Sequence, residues 1–281
     1  MKLAGVVGWP VGQSLSPLLH GLWIAEYAIA GAYVPLPVRR EDFSHALRGL
    51  RICGFVGVNA TLPHKQAAFA MADVCDQASA AAGAANLLLF HEQGIEARNT
   101  DIEGLTAALR AETGGNGIGG VQAVIVGAGG AARASVLVCD RLGAATIFVL
   151  NRTPRRANQL VAGLAPLVRA QLSAGSLEDW PAVACATGLL IHATGAGMGG
   201  APSLALPLEA LPPTALVCDL VYDPLETPLL ARASLRGLRT VDGLGMLMNQ
   251  AVPAFEALFG VRPTVTAATR HRLEKALHDG R

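Results

Sequence analysis

The chain has 281 residues, 52% of them hydrophobic, and a formal net charge of +1 from 22 cations and 21 acids. That length and apolar content suit one large globular domain or two of ordinary size, and the scattered, nearly balanced charge offers no footprint for nucleic acid or an anionic membrane. No uninterrupted apolar stretch approaches a bilayer span, since even residues 183–198 are broken by Thr187, Gly188, His192 and Gly195.

Five cysteines, Cys53, Cys75, Cys139, Cys185 and Cys218, are odd in number, widely spaced and free of CxxC pairs. They argue against a disulfide framework or a zinc site and read as buried thiols in a reducing compartment. No targeting segment is evident before the first apolar run, so a cytoplasmic protein is expected. The histidines form no HExxH pattern, and His271 and His278 on the last predicted helix read as solvated, so no metal is expected. Small charged metabolites are the expected partners.

Short apolar runs alternate with helical patterns from the start: a strand over 3–7, a helix over 17–30, a strand over 33–38, a helix over 43–50, a strand over 54–59 and a helix over 65–74. This alternation predicts α/β units around a largely parallel sheet. Ser16 before Pro17 is a helix start, with a hydroxyl at the N-cap and proline at the first position. Strands over 86–90 and 95–98 join through a Gln93-Gly94 turn, and a helix is expected over 102–110. Thr113-Gly114-Gly115-Asn116-Gly117-Ile118-Gly119-Gly120 holds five glycines in eight residues and marks a loop or linker, after which a new unit begins. That unit reads as a strand over 121–126, a glycine-rich turn, a helix over 134–142 and a strand over 146–150. Helices over 154–164 and 228–235, strands over 189–193 and 216–221, and two closing helices over 242–259 and 265–277 complete the chain.

Three lysines stand among nineteen arginines, and Lys2 and Lys275 lie near the ends. Arginine cannot usefully lose a proton near neutrality, whereas lysine can in a dry cleft, so Lys65 is either a stray cation or a titratable one kept for chemistry. The turn Gly127-Ala128-Gly129-Gly130-Ala131-Ala132 fits GxGxxG/A between a strand and a helix, which is the context a dinucleotide-binding fingerprint demands. Gly127 serves the bend, Gly129 the approach of a pyrophosphate and Ala132 the helix packing, with the helix N-terminus facing the phosphates. After the next strand comes Asn151-Arg152-Thr153-Pro154-Arg155-Arg156, with no acid to hold the ribose of NAD. Arg152 suits a bidentate contact to the 2′-phosphate of NADP, with Arg155 or Arg156 a helical turn away. Asp101 in Asn99-Thr100-Asp101 is either a second acid/base group beside Lys65 or a helix cap, and Ser14 and Ser16 could present hydroxyls to an anion or, for Ser16, cap a helix.

Taken in order, these residues resemble the shikimate dehydrogenase family. Gly8-Trp9-Pro10 with Ser14-Leu15-Ser16-Pro17 and His20 is similar to the family's opening loop, which implies that Ser14 and Ser16 bind a substrate carboxylate. Asn59-Ala60-Thr61-Leu62-Pro63-His64-Lys65 resembles its lysine signature, implying that Thr61 touches substrate and Lys65 is catalytic. Ala82-Gly83-Ala84-Ala85-Asn86 and Asn99-Thr100-Asp101 resemble the next motifs, with Asn86 on substrate and Asp101 as partner of the lysine. The loop at Gly127, Ala128, Gly129, Gly130 and Ala131, then Asn151, Arg152, Thr153 and Arg156, is similar to the family's NADP site. Ala193-Thr194 with Gly197-Met198, the run from Asp219 through Leu229, and Asp242-Gly243-Leu244-Gly245-Met246-Leu247 with Gln250 complete the series. The resemblance implies that Tyr222 and Gln250 reach substrate, and that Thr194, Leu220, Gly243 and Met246 lie at the cofactor.

The implied architecture is α/β: an N-terminal substrate domain, 1–104, completed by C-terminal helices within 241–281, and a Rossmann-type NADP-binding domain, 105–240, with the active site in the interdomain cleft. The implied activity is NADPH-dependent, reversible reduction of 3-dehydroshikimate to shikimate in aromatic amino-acid biosynthesis, by a monomer or homodimer. A quinate or other hydroxy-acid dehydrogenase of the same family, and a non-catalytic NADP-binding module, stand as alternatives. Departures from the family pattern are Ile102 for a usual glycine, Ala97 for glycine, Leu87 for threonine, and His192 and Gly195 where asparagine and proline are common.

Overall fold

The computed structural model describes residues 1–115 and 117–279, so Asn116 of the glycine-rich stretch lies outside the described residues. The chain divides into two compact units, Met1–Asp101 with the segment from Leu247 onward, and Ile102–Met246.

The first unit carries strands β1 (Lys2–Gly8), β2 (Gly31–Pro37), β3 (Phe55–Ala60), β4 (Val74–Cys75), β5 (Leu87–His91) and β6 (Gly94–Arg98) in one sheet of order β2-β1-β3-β5-β6-β4. β1 runs parallel to β2 and β3, whereas β5 is antiparallel to both β3 and β6. Helices α1 (Ser16–Glu26), α2 (Phe43–Ile52), α3 (Lys65–Ala70) and α4 (Gln77–Ala82) connect these strands, and α5 (Asp101–Thr113) leads out of the unit. Val7, Val58, Leu88 and Ala97 from four strands bury against Phe43 and Leu47 of α2, so apolar β-branched and aliphatic side chains fill the helix-covered face.

The second unit holds β7 (Gln122–Val126), β8 (Thr146–Leu150), β9 (Gln171–Gly175), β10 (Thr187–His192), β11 (Leu216–Asp219) and β12 (Arg239–Val241), parallel throughout, in the order β12-β11-β10-β7-β8-β9. Read from the other edge this is strand order 3-2-1-4-5-6, the doubly wound Rossmann arrangement, whose crevice opens where the order reverses, between β7 and β10. Helices α6 (Gly130–Arg141), α7 (Pro154–Leu164), α8 (Trp180–Ala184) and α9 (Pro228–Leu235) connect its strands, α10 (Gly243–Phe259) passes from the second unit into the first, and α11 (Ala267–His278) closes the chain. Val124, Val126, Leu190 and Val217 from adjoining strands bury with Leu229 and Leu230 of α9 and with Trp180, whose indole N–H donates to Pro207 O at 2.7 Å.

The glycine-rich stretch after α5 falls inside the second unit and not between the units, because α5 from Ile102 onward packs as part of that second unit. The helix expected over 65–74 is cut to Lys65–Ala70, and after it comes the short strand β4, whose two residues are exposed and carry little pattern. The helix expected to 30 ends at Glu26, and Ala28 takes a positive φ of 50° as the chain turns back into β2. Among the cysteines only Cys139 and Cys218 are buried. Cys53 and Cys185 sit at the C-terminal ends of α2 and α8 and Cys75 on an edge strand, where backbone ends meet solvent. No helix among the described residues is long and apolar enough to cross a membrane.

Candidate active site

Sheet topology alone gathers the first unit's polar motifs at one edge. β1 and β3 are parallel with Val7 opposite Ala60, so the loops holding Ser14 and Thr61 leave the sheet on the same side. β5 enters antiparallel, with Leu87 opposite both Asn59 and Arg98, and this places Asn86, just before it, and Asn99-Thr100-Asp101, just after β6, at that same edge. The loops are knitted there: Trp9 N–H donates to Leu62 O and Ala60 N–H to Asn86 O, both at 2.9 Å. A Cβ on Gly8 would come within 2.5 Å of Thr61 Cγ2, so glycine permits this close approach.

Lys65 opens α3 and Asp101 opens α5. Lys65 Nζ donates to Asp101 Oδ2 at 2.6 Å, with the lysine side chain 16% exposed and the aspartate 4%. The carboxylate is thus enclosed while the ammonium keeps an open approach. Asp101 Oδ1 accepts from Asn86 Nδ2 at 2.9 Å, and Asp101 N–H is held by Asn99 Oδ1 at 3.1 Å. Both carboxylate oxygens face the lysine network, so the pairing of Asp101 with Lys65 is formed.

Asn86 is the hub. Its Nδ2 faces Thr100 Oγ1 at 2.9 Å, Asp101 Oδ1 at 2.9 Å and Gln250 Oε1 at 3.1 Å, while its Oδ1 accepts from Thr100 N at 2.8 Å. Two amide hydrogens cannot serve three acceptors at once. Thr100 Oγ1 has one further proton, shared between Asn86 Oδ1 at 3.2 Å and Gln250 Oε1 at 3.1 Å. One arrangement satisfies all four acceptors, with the Asn86 amide serving Thr100 Oγ1 and Asp101 Oδ1 and the Thr100 hydroxyl serving Gln250 Oε1, so the buried cluster holds these side chains in fixed orientations.

Asn59 braces the hub, donating to Asn86 O at 2.9 Å and accepting from the Tyr33 hydroxyl at 2.8 Å. Thr100, Asn59, Asn99 and Tyr33 have no role that sequence reasoning assigns. The first three stand inside the motifs that sequence reasoning singles out, which is the available signal, while Tyr33 sits in a strand without any.

Ser14, Ser16 and Thr61 lie at the same sheet edge, and the Ser14–Ser16 contact is separate from the lysine cluster. Ser16 does not cap α1: it is the first helical residue, and Ser14 Oγ accepts its N–H at 3.2 Å. The N-cap position falls on Leu15, and no side chain caps the helix.

In the second unit the dinucleotide loop leaves β7 at the switch point. Gly127 has φ of +130°, and a Cβ there would meet Ala193 O at 2.6 Å, so both conformation and space require glycine. A Cβ on Gly129, by contrast, would meet nothing within 4 Å. Gly129 is the exposed N-cap of α6 with no side-chain cap, and Gly130 behind it is buried while Ala131 is half-buried. This is a cradle of the shape a pyrophosphate needs, and the residues present fit a dinucleotide. Ala132 is fully buried against the sheet, as close packing of helix on strand requires.

Asn151 comes directly after β8, its Nδ2 donating to Thr153 O at 2.9 Å, which shapes the turn carrying Arg152. Arg152, Thr153, Arg155 and Arg156 are exposed at the start of α7, whose first turn has no acid to neutralise them. Leu220 and Gly243 are brought together, since a Cβ on Gly243 would lie 2.4 Å from Leu220 O. Met246 is buried on α10 and Tyr222 is half-buried in the loop after β11.

The sequence and the fold match known proteins. A family model described as the shikimate dehydrogenase substrate-binding domain matches residues 6–88. A shikimate dehydrogenase (NADP(+)) of Methylobacterium radiotolerans is 48% identical over 274 residues, covering 96% of this chain and 95% of that protein. Among solved structures, shikimate 5-dehydrogenase of Thermus thermophilus in complex with NADP(H) and shikimate superposes with a TM-score of 0.83 at 33% identity, covering all of both chains. Quinate dehydrogenase of Corynebacterium glutamicum in complex with NAD gives a TM-score of 0.85 at 26% identity over 99% of each chain. Nearly half the residues are shared with a relative along almost its whole length, and the chain belongs to the shikimate dehydrogenase family.

Proposed function

We propose that this chain is an NADP-dependent oxidoreductase acting on a CH–OH group, which reduces 3-dehydroshikimate reversibly to shikimate in aromatic amino-acid biosynthesis. The observation that carries the reading is the 2.6 Å Lys65–Asp101 pair set in a buried amide and hydroxyl network. Relatives named shikimate dehydrogenase (NADP(+)), and a structural neighbour holding NADP(H) and shikimate, support the substrate and cofactor.

The first unit is the substrate domain in this reading and the second the cofactor domain. NADPH bound at the glycine loop supplies a hydride. Lys65 gives a proton to the substrate oxygen during reduction and takes it back in the reverse direction, while Asp101 holds the ammonium and is itself kept from rotating by Asn86. Ser14 and Ser16 hold the substrate carboxylate. Thr61, Asn86, Tyr222 and Gln250 contact the remainder of the ring, the acceptors at Asn86 and Gln250 receiving its hydroxyls. Gly127, Ala128, Gly129, Gly130 and Ala131 cradle the pyrophosphate, and Asn151, Arg152, Thr153 and Arg156 hold the 2′-phosphate. Thr194, Leu220, Gly243 and Met246 line the nicotinamide half. The enzyme works in the cytoplasm as a monomer or homodimer, consistent with five unpaired thiols.

A quinate dehydrogenase is the second reading, favoured by the likeness to the Corynebacterium enzyme. A cofactor-binding module without catalysis has no use for the intact Lys65–Asp101 pair. Initial rates with shikimate and quinate, each with NADP and NAD, separate all three. Shikimate with NADP is expected to be fastest; quinate with NAD being fastest would favour the second reading, and NADP binding without turnover the third.

A further inference from the structure

A second polar chain lies at the end of β10, and of its members the proposed function uses only Thr194. His192 closes β10 and Asp219 closes β11, directly opposite in the parallel register and both buried. His192 Nδ1 is 2.8 Å from Asp219 Oδ1, and Nε2 is 2.5 Å from Thr194 Oγ1. Asp219 also accepts Val221 N–H at 3.0 Å and the Thr227 hydroxyl at 2.7 Å, and Thr194 Oγ1 accepts Ala196 N–H at 3.1 Å.

A carboxylate held by three donors from three sides has no freedom to move. Its demand for a proton from Nδ1 selects the imidazole tautomer, so Nε2 of the neutral ring is left as an acceptor for the Thr194 hydroxyl. With its proton sent to His192 and one lone pair occupied by Ala196 N–H, the Thr194 oxygen retains a single lone pair to offer. The threonine sits against the dinucleotide loop, since a Cβ on Gly127 would lie 3.1 Å from Thr194 Cγ2.

We propose that His192, braced by Asp219, is a positioning residue that fixes the Thr194 hydroxyl as an acceptor beside Gly127, there to receive a hydroxyl or amide donor of the bound dinucleotide. The inference rests on the reading of the glycine loop as an NADP site. His192→Asn keeps a donor for Asp219 at the position of Nδ1 but gives up the contact to Thr194, and Thr194→Val removes the hydroxyl with little change of shape. NADPH affinity, measured by fluorescence titration of the full chain, is expected to weaken by about five- to tenfold in each, the effect of losing one hydrogen bond. The double variant should bind no more weakly than Thr194→Val alone, because the two act through one contact. Thr194→Ser should rescue binding, and His192→Asn should keep the shikimate KM within about twofold and melt near the parent.

Additive losses in the double variant, or parental NADPH affinity in His192→Asn, would overturn the positioning role alone. Parental affinity in Thr194→Val would overturn the contact to the dinucleotide. Absence of NADPH binding by the unaltered protein would sink the underlying cofactor reading and this inference with it.

Discussion

Lysine and arginine carry the same charge, but only the ammonium can serve as a proton donor and then as an acceptor, and this separates Lys65 from the arginines that supply most other cations in the chain. Lys65→Ala is expected to lower kcat by about 10²–10⁴-fold, the usual worth of a positioned general acid, with cofactor binding retained. Turnover within about tenfold of the parent would contradict the role. Lys65→Arg sharpens the question, since it preserves charge and the pairing with Asp101; proton transfer requires it to be inactive, whereas an electrostatic role alone would let it survive. Arg152 has an independent test. Its replacement by alanine should reduce the NADP-to-NAD preference by roughly ten- to a hundredfold, the worth of a charge-assisted phosphate contact, and an unchanged preference in steady-state assays would remove it from the phosphate site. At this scale the candidates were legible, because chemistry is written in residue types: a lone lysine, a carboxylate in a polar triplet, an arginine after the second Rossmann strand. The bracing role of Tyr33 was not, because it acts through a side-chain hydrogen bond to Asn59 on a separate strand, which no local pattern encodes.

Elements with strong period and clear ends were also readable. β8, α7 and α9 run over Thr146–Leu150, Pro154–Leu164 and Pro228–Leu235, where apolar spacing and an N-terminal proline set the helices. β4, β9 and β12 went unread for a physical reason: all three are edge strands, two or three residues long in the case of β4 and β12, with mostly exposed or half-buried side chains and hence no alternation. Their pairing is decided by the neighbouring strand. The start of α10 offers a test at this scale. Gly243→Ala would push a Cβ to 2.4 Å from the carbonyl oxygen of Leu220, which is backbone and cannot swing away. The variant is expected to lose about 1–3 kcal/mol of stability, the range for overpacking a tight contact, and to bind NADPH more weakly; an unchanged melting temperature would show that the loop after β11 yields freely.

For the molecule as a whole, acid stability should carry the signature of one residue. His20 is fully buried, stacked on Tyr33 at 3.9 Å between ring centroids, with neither ring nitrogen hydrogen-bonded, and burial pushes its pKa from 6.5 down to about 3. The folded state therefore holds a neutral ring while the unfolded chain takes up a proton below the ordinary value. Stability from this group is complete above 6.5 and is lost as pH falls from there toward 3, with a slope approaching about 1.4 kcal/mol per pH unit. His20→Phe keeps the stacked ring without the titration. Between pH 7.5 and pH 5, urea unfolding should cost the parent about 2 kcal/mol more stability than the variant, and parallel pH curves for the two would show that the ring is hydrated in the folded protein.

The sequence by itself determined the α/β class and singled out the glycine-rich loop and the lysine and aspartate as candidates, because periodicity, glycine spacing and titratable side chains are local properties. Only the tertiary structure decided how Asp101 is held against Lys65, that Asn86 meets Gln250 across 164 residues of chain, and that His192 meets Asp219 at the ends of two strands. Those contacts arise from strand order and register. An antiparallel β5 between β3 and β6 is what brings Asn86 and Asp101 to the edge where Lys65 begins its helix, and a parallel register between β10 and β11 is what sets a histidine against a carboxylate.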